Sequence, residues 1–207
     1  MFRKLFTSIV AIPVDLGAFA QGHQSPVFSY EMFAFSWDVN VPVNNNFTDN
    51  TSWDGFQLEY RKMIQPDLSV GLELNWTGYD KYIPRQTYQL QHGAVTTDFY
   101  NYLYTIPMTV NAHHYFHVNN RLYPYVGLAL GATYAEMKLY YNTYVSSDYN
   151  WGFLIRPEVG AIYKFFENDS WGVLLGVRYN YSTNTASSFK INGIQSIGFQ
   201  LGIVAMK

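Results

Sequence analysis

The chain has no cysteine, little charge and no long apolar run, and each absence excludes a class of protein. Without cysteine, its 207 residues can form neither disulfide bonds nor thiolate metal sites. No stretch of about 18 or more apolar residues occurs, which excludes a bundle of membrane-spanning helices. The formal net charge is -2, and no stripe of lysine and arginine is present to neutralise phosphates, which excludes nucleic-acid binding.

Aromatic residues are abundant in place of charged ones. They make up 19% of the chain, against 14% for charged residues, and tyrosine alone occurs 19 times. A surface with so few charges is poorly suited to water, so lipid is the environment that fits the composition. A transmembrane β-barrel carries its membrane signal in alternating residues and not in apolar runs. Alternation is therefore the pattern that decides the fold class.

Residues 99–136 show this alternation most clearly. In the first arm, Tyr100 and the apolar residues at every second position after it alternate with asparagine and threonine. In the second arm, which begins at Leu122, leucine and valine alternate with glycine, alanine and threonine. The polar residues 117–121 join the arms as a turn. Each arm is long enough for a tilted strand that crosses a bilayer, which needs about 9 to 11 residues, so the segment predicts a transmembrane hairpin.

The same period of two recurs along the rest of the chain and gives about eight strands. Outer-membrane barrels have an even number of strands, short periplasmic turns and longer external loops. The sequence therefore predicts an all-β fold, an eight-stranded antiparallel transmembrane up-and-down β-barrel in the bacterial outer membrane, with both termini in the periplasm. The predicted long external loops, which alternate with short turns, are residues 40–52, 78–98, 139–150 and 182–193.

The N-terminus has the layout of a secretory signal. Arg3 and Lys4 precede a mostly apolar stretch that ends in the small-x-small triplet of Ala18, Phe19 and Ala20. This pattern predicts a cleaved signal peptide over residues 1–20. No composition shift follows it, so residues 21–207 are predicted to form a single outer-membrane β-barrel domain.

The small and charged residues of the predicted strands share one face. A soluble eight-stranded barrel would instead have an apolar interior. An arginine that faces lipid at the bilayer midplane costs about 2 to 4 kcal/mol, whereas a narrow barrel can pack such residues inward. The prediction is a closed lumen with a network of charges that pair with one another, namely Glu59, Arg61, Glu73, Arg156, Glu158 and Arg178. Interfacial girdles are predicted at Trp37, Trp53, Trp76, Trp151 and Trp171.

Several segments resemble the PorT-like outer-membrane β-barrel proteins common in Bacteroidetes. They are GFQLEYRKMIQPDLSVGLELNW, IPMTVNAHHYF followed by YPYVGLALGA, and the late GVRYNYST and SIGFQLGI. Together these segments cover nearly all of the chain after the predicted signal peptide. The resemblance implies a small Gram-negative outer-membrane barrel, and it carries over no catalytic residue.

Three histidines lie close together in the sequence, at His113, His114 and His117. Adjacent residues of a strand point to opposite faces, and no acidic residue lies nearby in sequence. We therefore predict no metal site and no cofactor, and interpret these histidines as polar residues near the periplasmic edge of the barrel.

The main functional hypothesis is a barrel without enzymatic activity that acts as a membrane scaffold, a secretion or assembly accessory, or a partner-binding barrel with a closed polar lumen. One alternative is a narrow passive path for small solutes. Another is a lipid-modifying enzyme, which would need a serine or aspartate arranged with a histidine at the membrane surface; His92 is the only histidine placed outside by this topology. The predicted contacts are outer-membrane lipid and lipopolysaccharide, and an outer-membrane protein partner through loops 40–52 and 78–98.

Overall fold

The computed structural model describes residues 31–43, 45, 47–90, 93–165 and 170–207. The predicted signal peptide lies outside the described residues, as does His92. Within the described part of the chain, no helix has the length and apolar character needed to span a membrane.

Eight antiparallel strands form a closed barrel in chain order, which confirms the predicted fold class. Each strand pairs with the next, and the last pairs with the first from Met32↔Met206 to Val43↔Gln195. A short 3-10 helix, Ser187–Phe189, lies between the last two strands. The strands are β1 (Glu31–Val43), β2 (Ser52–Gln65), β3 (Leu68–Leu90), β4 (Gly93–Tyr115), β5 (Leu122–Tyr141), β6 (Tyr144–Lys164), β7 (Trp171–Ala186) and β8 (Ile191–Met206).

The apolar face of the strands lies on the outside of the barrel. Phe33, Leu72 and Val110 are typical of it, with 57%, 60% and 59% of their surfaces exposed. The polar and charged residues at the alternate positions are buried in the interior. This arrangement is the reverse of a soluble barrel, and a continuous apolar surface of this kind belongs against lipid.

The five tryptophans all lie on this outer surface or at its margin. Trp37 and Trp53 are in contact, with ring centroids 6.2 Å apart. Trp76 stacks against Phe56 and against Tyr104, with centroids 5.9 and 6.1 Å apart. Trp171 begins β7 at the opposite end of the barrel. These aromatic rings therefore lie mainly toward one border of the apolar surface, with Trp171 at the other, in the positions of the girdles of membrane barrels.

The two ends of the barrel differ. At the proximal end, β1 begins beside the last residue of the chain, and the Glu31 N–H donates to the Lys207 carbonyl at 3.0 Å. At the distal end, β3 and β4 are each 23 residues long and β5 and β6 are 20 and 21, whereas β1 and β2 have only 13 and 14. The long strands continue past their neighbours as a four-stranded sheet. We call this sheet, residues 77–90, 93–105, 135–141 and 144–153, the distal wall.

The prediction of long loops at 78–98, 139–150 and 182–193 was wrong. The β3–β4 ladder continues to Leu90↔Gly93, and the β5–β6 ladder continues to Tyr141↔Tyr144. Pro84 and Gly93 indicated a loop, yet Pro84 lies at an irregularity of the ladder, where a missing N–H is tolerated, and Gly93 lies in the tip. Polar composition here reflects strands that have left the lipid. Of the four predicted loops, only 40–52 contains a longer connection, after Val43.

Candidate functional site in the barrel lumen

The interior of the barrel is arranged in three layers. Two apolar clusters close the ends, and a network of charged and amide side chains lies between them. The proximal cluster consists of Met32, Ala34, Met63, Tyr115, Tyr123, Tyr125, Ile162, Leu174, Val204 and Met206. The distal cluster consists of Phe47, Tyr79, Leu103, Ala135, Met137, Ala186, Ile191 and Ile194, with Leu139 and Phe189 packed against it.

The middle layer, which we call the central network, holds all six charged residues that the sequence predicted for the lumen. Each of them is buried. They come from β2, β3, β6 and β7, and they face inward because each occupies the position in its strand opposite to the lipid-facing residues. The network also contains Asp38, Gln57, Asn75, Asn111 and His113, which the prediction did not include.

Arg61 makes the largest number of contacts in the central network. Its Nε and Nη2 donate to the two oxygens of Glu59 at 2.6 and 2.8 Å, a bidentate pair. Its Nη1 donates to the Tyr115 hydroxyl at 3.1 Å, and its guanidinium lies 4.7 Å from the centre of the Tyr125 ring. Nη2 also reaches Glu158 at 3.5 Å. This one guanidinium therefore connects the charges to the proximal cluster.

A second pair joins β3 to β6. Arg156 Nη1 donates to Glu73 at 2.8 Å, and its Nε donates to Asn180 at 2.6 Å. Thr109 donates to the same Glu73 oxygen at 2.9 Å. Asn111 then bridges the two halves of the network, because its Nδ2 donates to Glu59 at 2.5 Å and to Glu73 at 2.6 Å. Both carboxylates are thus saturated by donors.

Arg178 does not pair with a glutamate, contrary to the prediction that the six charges pair only with one another. Its Nη2 donates to Asp38 and its Nη1 donates to Gln57. Asn40 and Asn75 donate to the same oxygen of Asp38 at 2.8 and 2.9 Å. The reason is position: Asp38 is an inward residue of β1, and the closed barrel brings it to Arg178 across a separation of 140 residues in sequence.

His113 lies in the central network and not at the periplasmic edge, so that interpretation was wrong. Its Nε2 contacts a carboxylate oxygen of Glu158, and the ring is fully buried. His114, the next residue, lies outside and contacts Asp67 at 3.5 Å, as the alternation of strand residues predicts. The acidic partner of His113 could not be seen in the local sequence because it comes from β6.

Glu59, Glu73 and His113 are close enough together for one of their ligand atoms each to lie within 4.8 Å of the others. A metal ion would need free lone pairs at these carboxylates. Glu59 already accepts from Arg61, and both glutamates accept from Asn111, so a cation would have to compete with these donors for the carboxylate oxygens. The arrangement fits a structural network better than a metal centre.

Between the central network and the distal cluster lies a cavity of about 20 Å³. Its walls include Thr77, Thr105, Arg156 and Asn180. About 10 to 15 Å³ is needed for a single water molecule, so the cavity has room for about one water molecule. It is far too small for a solute.

The chain has structural neighbours but no match to a described family. No protein-family model matches it, and no curated protein sequence matches it. Among solved structures, Neisserial surface protein A is 17% identical, over 86% of this chain and 98% of that chain, with a TM-score of 0.59. The Yersinia pestis attachment invasion locus protein Ail, in complex with a heparin analogue, is also 17% identical, over 84% and 97% of the two chains, with a TM-score of 0.48.

A third neighbour is the outer membrane protease OmpT of Escherichia coli, which is 10% identical over 76% of this chain and 67% of that chain, with a TM-score of 0.50. Identities this low carry the fold and not the activity. The resemblance to PorT-like proteins stays a prediction. The closed barrel, its apolar exterior and the similarity to Neisserial surface protein A together identify the fold of this chain as that of the outer-membrane β-barrels.

Proposed function

We propose that this chain is an integral outer-membrane protein without enzymatic activity, related to the PorT-like barrels, whose sealed barrel anchors the distal wall outside the cell. In this role it is a scaffold or an accessory that binds a partner protein there. Outer-membrane lipid and lipopolysaccharide would surround its apolar surface. The observation that carries the proposal is the contrast between the lumen, which is filled, and the distal wall, which extends far beyond the rim.

Three features support a lumen that conducts nothing. An eight-stranded barrel is only wide enough for side chains to fill its centre. Here charged groups bind one another across the middle, and an apolar cluster closes each end. The cavity of about 20 Å³ between the central network and the distal cluster is too small to pass a solute. A passive solute path would need both clusters and the network to move together.

The described residues of the lumen also offer no reactive group that a substrate could reach. His113 contacts Glu158 within the central network and is fully buried, so a lipid at the membrane surface could not reach it. The burial of His113 favours a binding role over lipid hydrolysis in the lumen. His92, the histidine that an external active site would use, lies outside the described residues.

Planar bilayers provide the test of the closed lumen. Purified protein reconstituted at a density that gives steady currents with an open porin is expected to give none. Protein-free detergent in the same lipid is the control for leak. Sustained porin-like steps that increase with the amount of protein would contradict the proposal.

Cysteine labelling tests which end of the barrel faces outward. The native chain has no cysteine, so a single introduced thiol gives an unambiguous signal. Asn142→Cys, in the exposed turn after β5, and Asn45→Cys are expected to react with a membrane-impermeant maleimide on intact cells. Asn119→Cys, at the proximal end, is expected to react only after the outer membrane is permeabilised. Labelling of Asn119→Cys alone would invert the topology.

A further inference from the structure

The distal wall has two free edges. The β2–β3 ladder ends at Phe56↔Trp76, so β3 from Thr77 onward pairs only with β4. The β6–β7 ladder ends at Leu154↔Ser182, so residues 144–153 of β6 pair only with β5. A free edge presents a row of unpaired N–H and C=O groups, which is a template for another strand.

The β3 edge is protected in the ways that natural sheets use. Pro84 and the irregularity beside it interrupt the row of donors, and Arg85 adds charge. Nearer the rim, the connection after β1 covers the edge: Lys81 binds Asp49 at 2.6 Å, and Asn50 donates to Asp80 at 3.1 Å. A peptide could pair here only after displacing these contacts.

The β6 edge has fewer of these devices, since its one charged residue is Asp148, on the inner face. Residues 144–149, Tyr-Val-Ser-Ser-Asp-Tyr, contain no proline and no basic residue. Their ladder with β5 is regular from Leu122↔Tyr163 to Tyr141↔Tyr144, without a bulge that would twist the edge away. Toward β7, the Asn150 side chain donates to the Thr185 carbonyl at 2.8 Å. Beyond Asn150, no strand of the described part of the chain pairs with this side of β6, and we call residues 144–149 its open edge.

The backbone groups at this edge can be assigned from two hydrogen bonds. The Phe153 N–H donates to Thr183 Oγ1 at 2.9 Å, which lies on the β7 side. The Lys164 N–H donates to the Arg121 carbonyl at 2.8 Å, which lies on the β5 side. Because residues two apart in a strand direct their backbone groups to the same side, the odd-numbered residues face the open edge. Val145, Ser147 and Tyr149 therefore present three donors and three acceptors there.

The side chains beside this edge define what would pair with it. Val145 and Tyr149 lie on the outer face of the wall and are 55% and 70% exposed, so a neighbouring strand with apolar residues would bury them. Asp148 lies on the inner face with no basic residue opposite it in the ladder, where its partner is Met137. A complementary segment carries valine or aromatic residues at alternate positions and lysine or arginine between them.

A second copy of this chain does not fit. Two barrels in one membrane have the same orientation, so their β6 strands cannot run antiparallel. A twofold axis along the membrane normal, acting on strands tilted by about 35 to 45°, would cross the two edges at a steep angle and prevent a ladder. A flexible segment of another protein has no such restriction.

We propose that the open edge of β6, residues 144–149, binds an extended segment of a partner protein by β-strand addition, with alternating apolar and basic residues in that segment. This inference rests on the proposed function, because it requires the distal wall to project from the membrane and to bind a protein. It specifies where and how that protein binds.

A fluorescent peptide provides the test, with full-length protein in nanodiscs. The probe is a blocked eight-residue peptide of alternating valine and lysine, and binding is measured by fluorescence anisotropy. Ser147→Pro removes a donor at the open edge without removing a β5 ladder bond, and we expect it to weaken binding about tenfold or more. Ser147→Ala, which keeps the N–H, is the matched control and is expected to bind as the wild type does.

A second probe separates strand addition from simple charge attraction. The same peptide with N-methyl groups on alternate amides keeps its charges but cannot form a ladder, and it is expected not to bind. Equal binding of the methylated peptide, or equal binding of the probe to wild type and Ser147→Pro, would overturn the inference. Dimers of the Tyr149→Cys variant that are cross-linked through the introduced thiol would also overturn it. None of these results depends on conductance. The peptide test can therefore fail while the bilayer test of the closed lumen succeeds, and the two proposals are tested separately.

Discussion

Arg178→Leu is expected to lower the free energy of unfolding by about 3 to 5 kcal/mol, the cost of removing one partner from a buried ion pair. The substitution leaves the carboxylate of Asp38 fully buried, with only the amides of Asn40 and Asn75 to compensate its charge. It also removes the donor to Gln57. Because leucine is shorter than arginine, the vacated space can admit water, which brings the effect toward the lower figure.

The measurement is the urea midpoint of unfolding in detergent micelles, followed by tryptophan fluorescence. Arg85→Leu is the matched control, because it makes the same chemical change at an exposed position of the distal wall and is expected to leave the midpoint unchanged. Asp38→Asn combined with Arg178→Leu removes the unpaired charge and is expected to recover part of the loss. An Arg178→Leu protein as stable as the wild type would refute the network as a source of stability.

The faces of the strands could be predicted because alternation is a local property. Once Leu72 and Val110 are assigned to the outside, Glu73 and Asn111 must lie inside, since neighbouring residues of a strand point to opposite faces. The sealing of the lumen at both ends was harder to see. Alternation also places Met32, Tyr115 and Tyr125 on the inward faces of β1, β4 and β5, but it does not show that apolar residues from several strands meet in one cluster.

The pairing within the central network could not be predicted because it depends on the stagger of the strands around the barrel. Arg178 and Glu158 are opposite each other in the β6–β7 ladder, which makes them the natural pair from sequence. The arginine instead extends across the lumen to Asp38 on β1. Asp38 carried one available signal, since it is a charged residue at an inward position of β1, and a charge at such a position calls for a partner.

The distal wall was missed for a different reason. In the outer part of the wall both faces of the sheet contact water, as the exposed neighbours Gln86 and Thr87 show, and a period of two in hydrophobicity disappears there. Paired aromatic residues remain as the local signal, such as Tyr82 with Tyr100, whose rings are 4.7 Å apart across the β3–β4 ladder. Length is a further signal: strands that must cross a bilayer need about 9 to 11 residues, and strand residues beyond that number lie outside the lipid.

Arg61→Met is expected to have the second large effect on the free energy of unfolding. The size of this effect depends on which partners of Arg61 are still present. The single substitution leaves Glu59 without its bidentate donor and Tyr115 without the guanidinium at 3.1 Å. Glu158 also loses a cation at 3.5 Å and keeps His113. Loss of about 3 to 5 kcal/mol is expected, because two buried carboxylates are left poorly compensated.

Glu59→Gln on its own leaves Arg61 with Glu158 and the Tyr125 ring, so it is expected to cost less. The double variant, Arg61→Met with Glu59→Gln, has no unpaired carboxylate at position 59. Its free energy of unfolding should therefore fall by less than the sum of the two single losses, by about 1 to 3 kcal/mol, which is within the range of coupling energies for residues in contact. The measurement is a double-mutant cycle: the unfolding midpoints of the wild type, the two single variants and the double variant are compared in one detergent. Additive losses would mean that the two side chains contribute independently, and the central network would then be packing around separate charges.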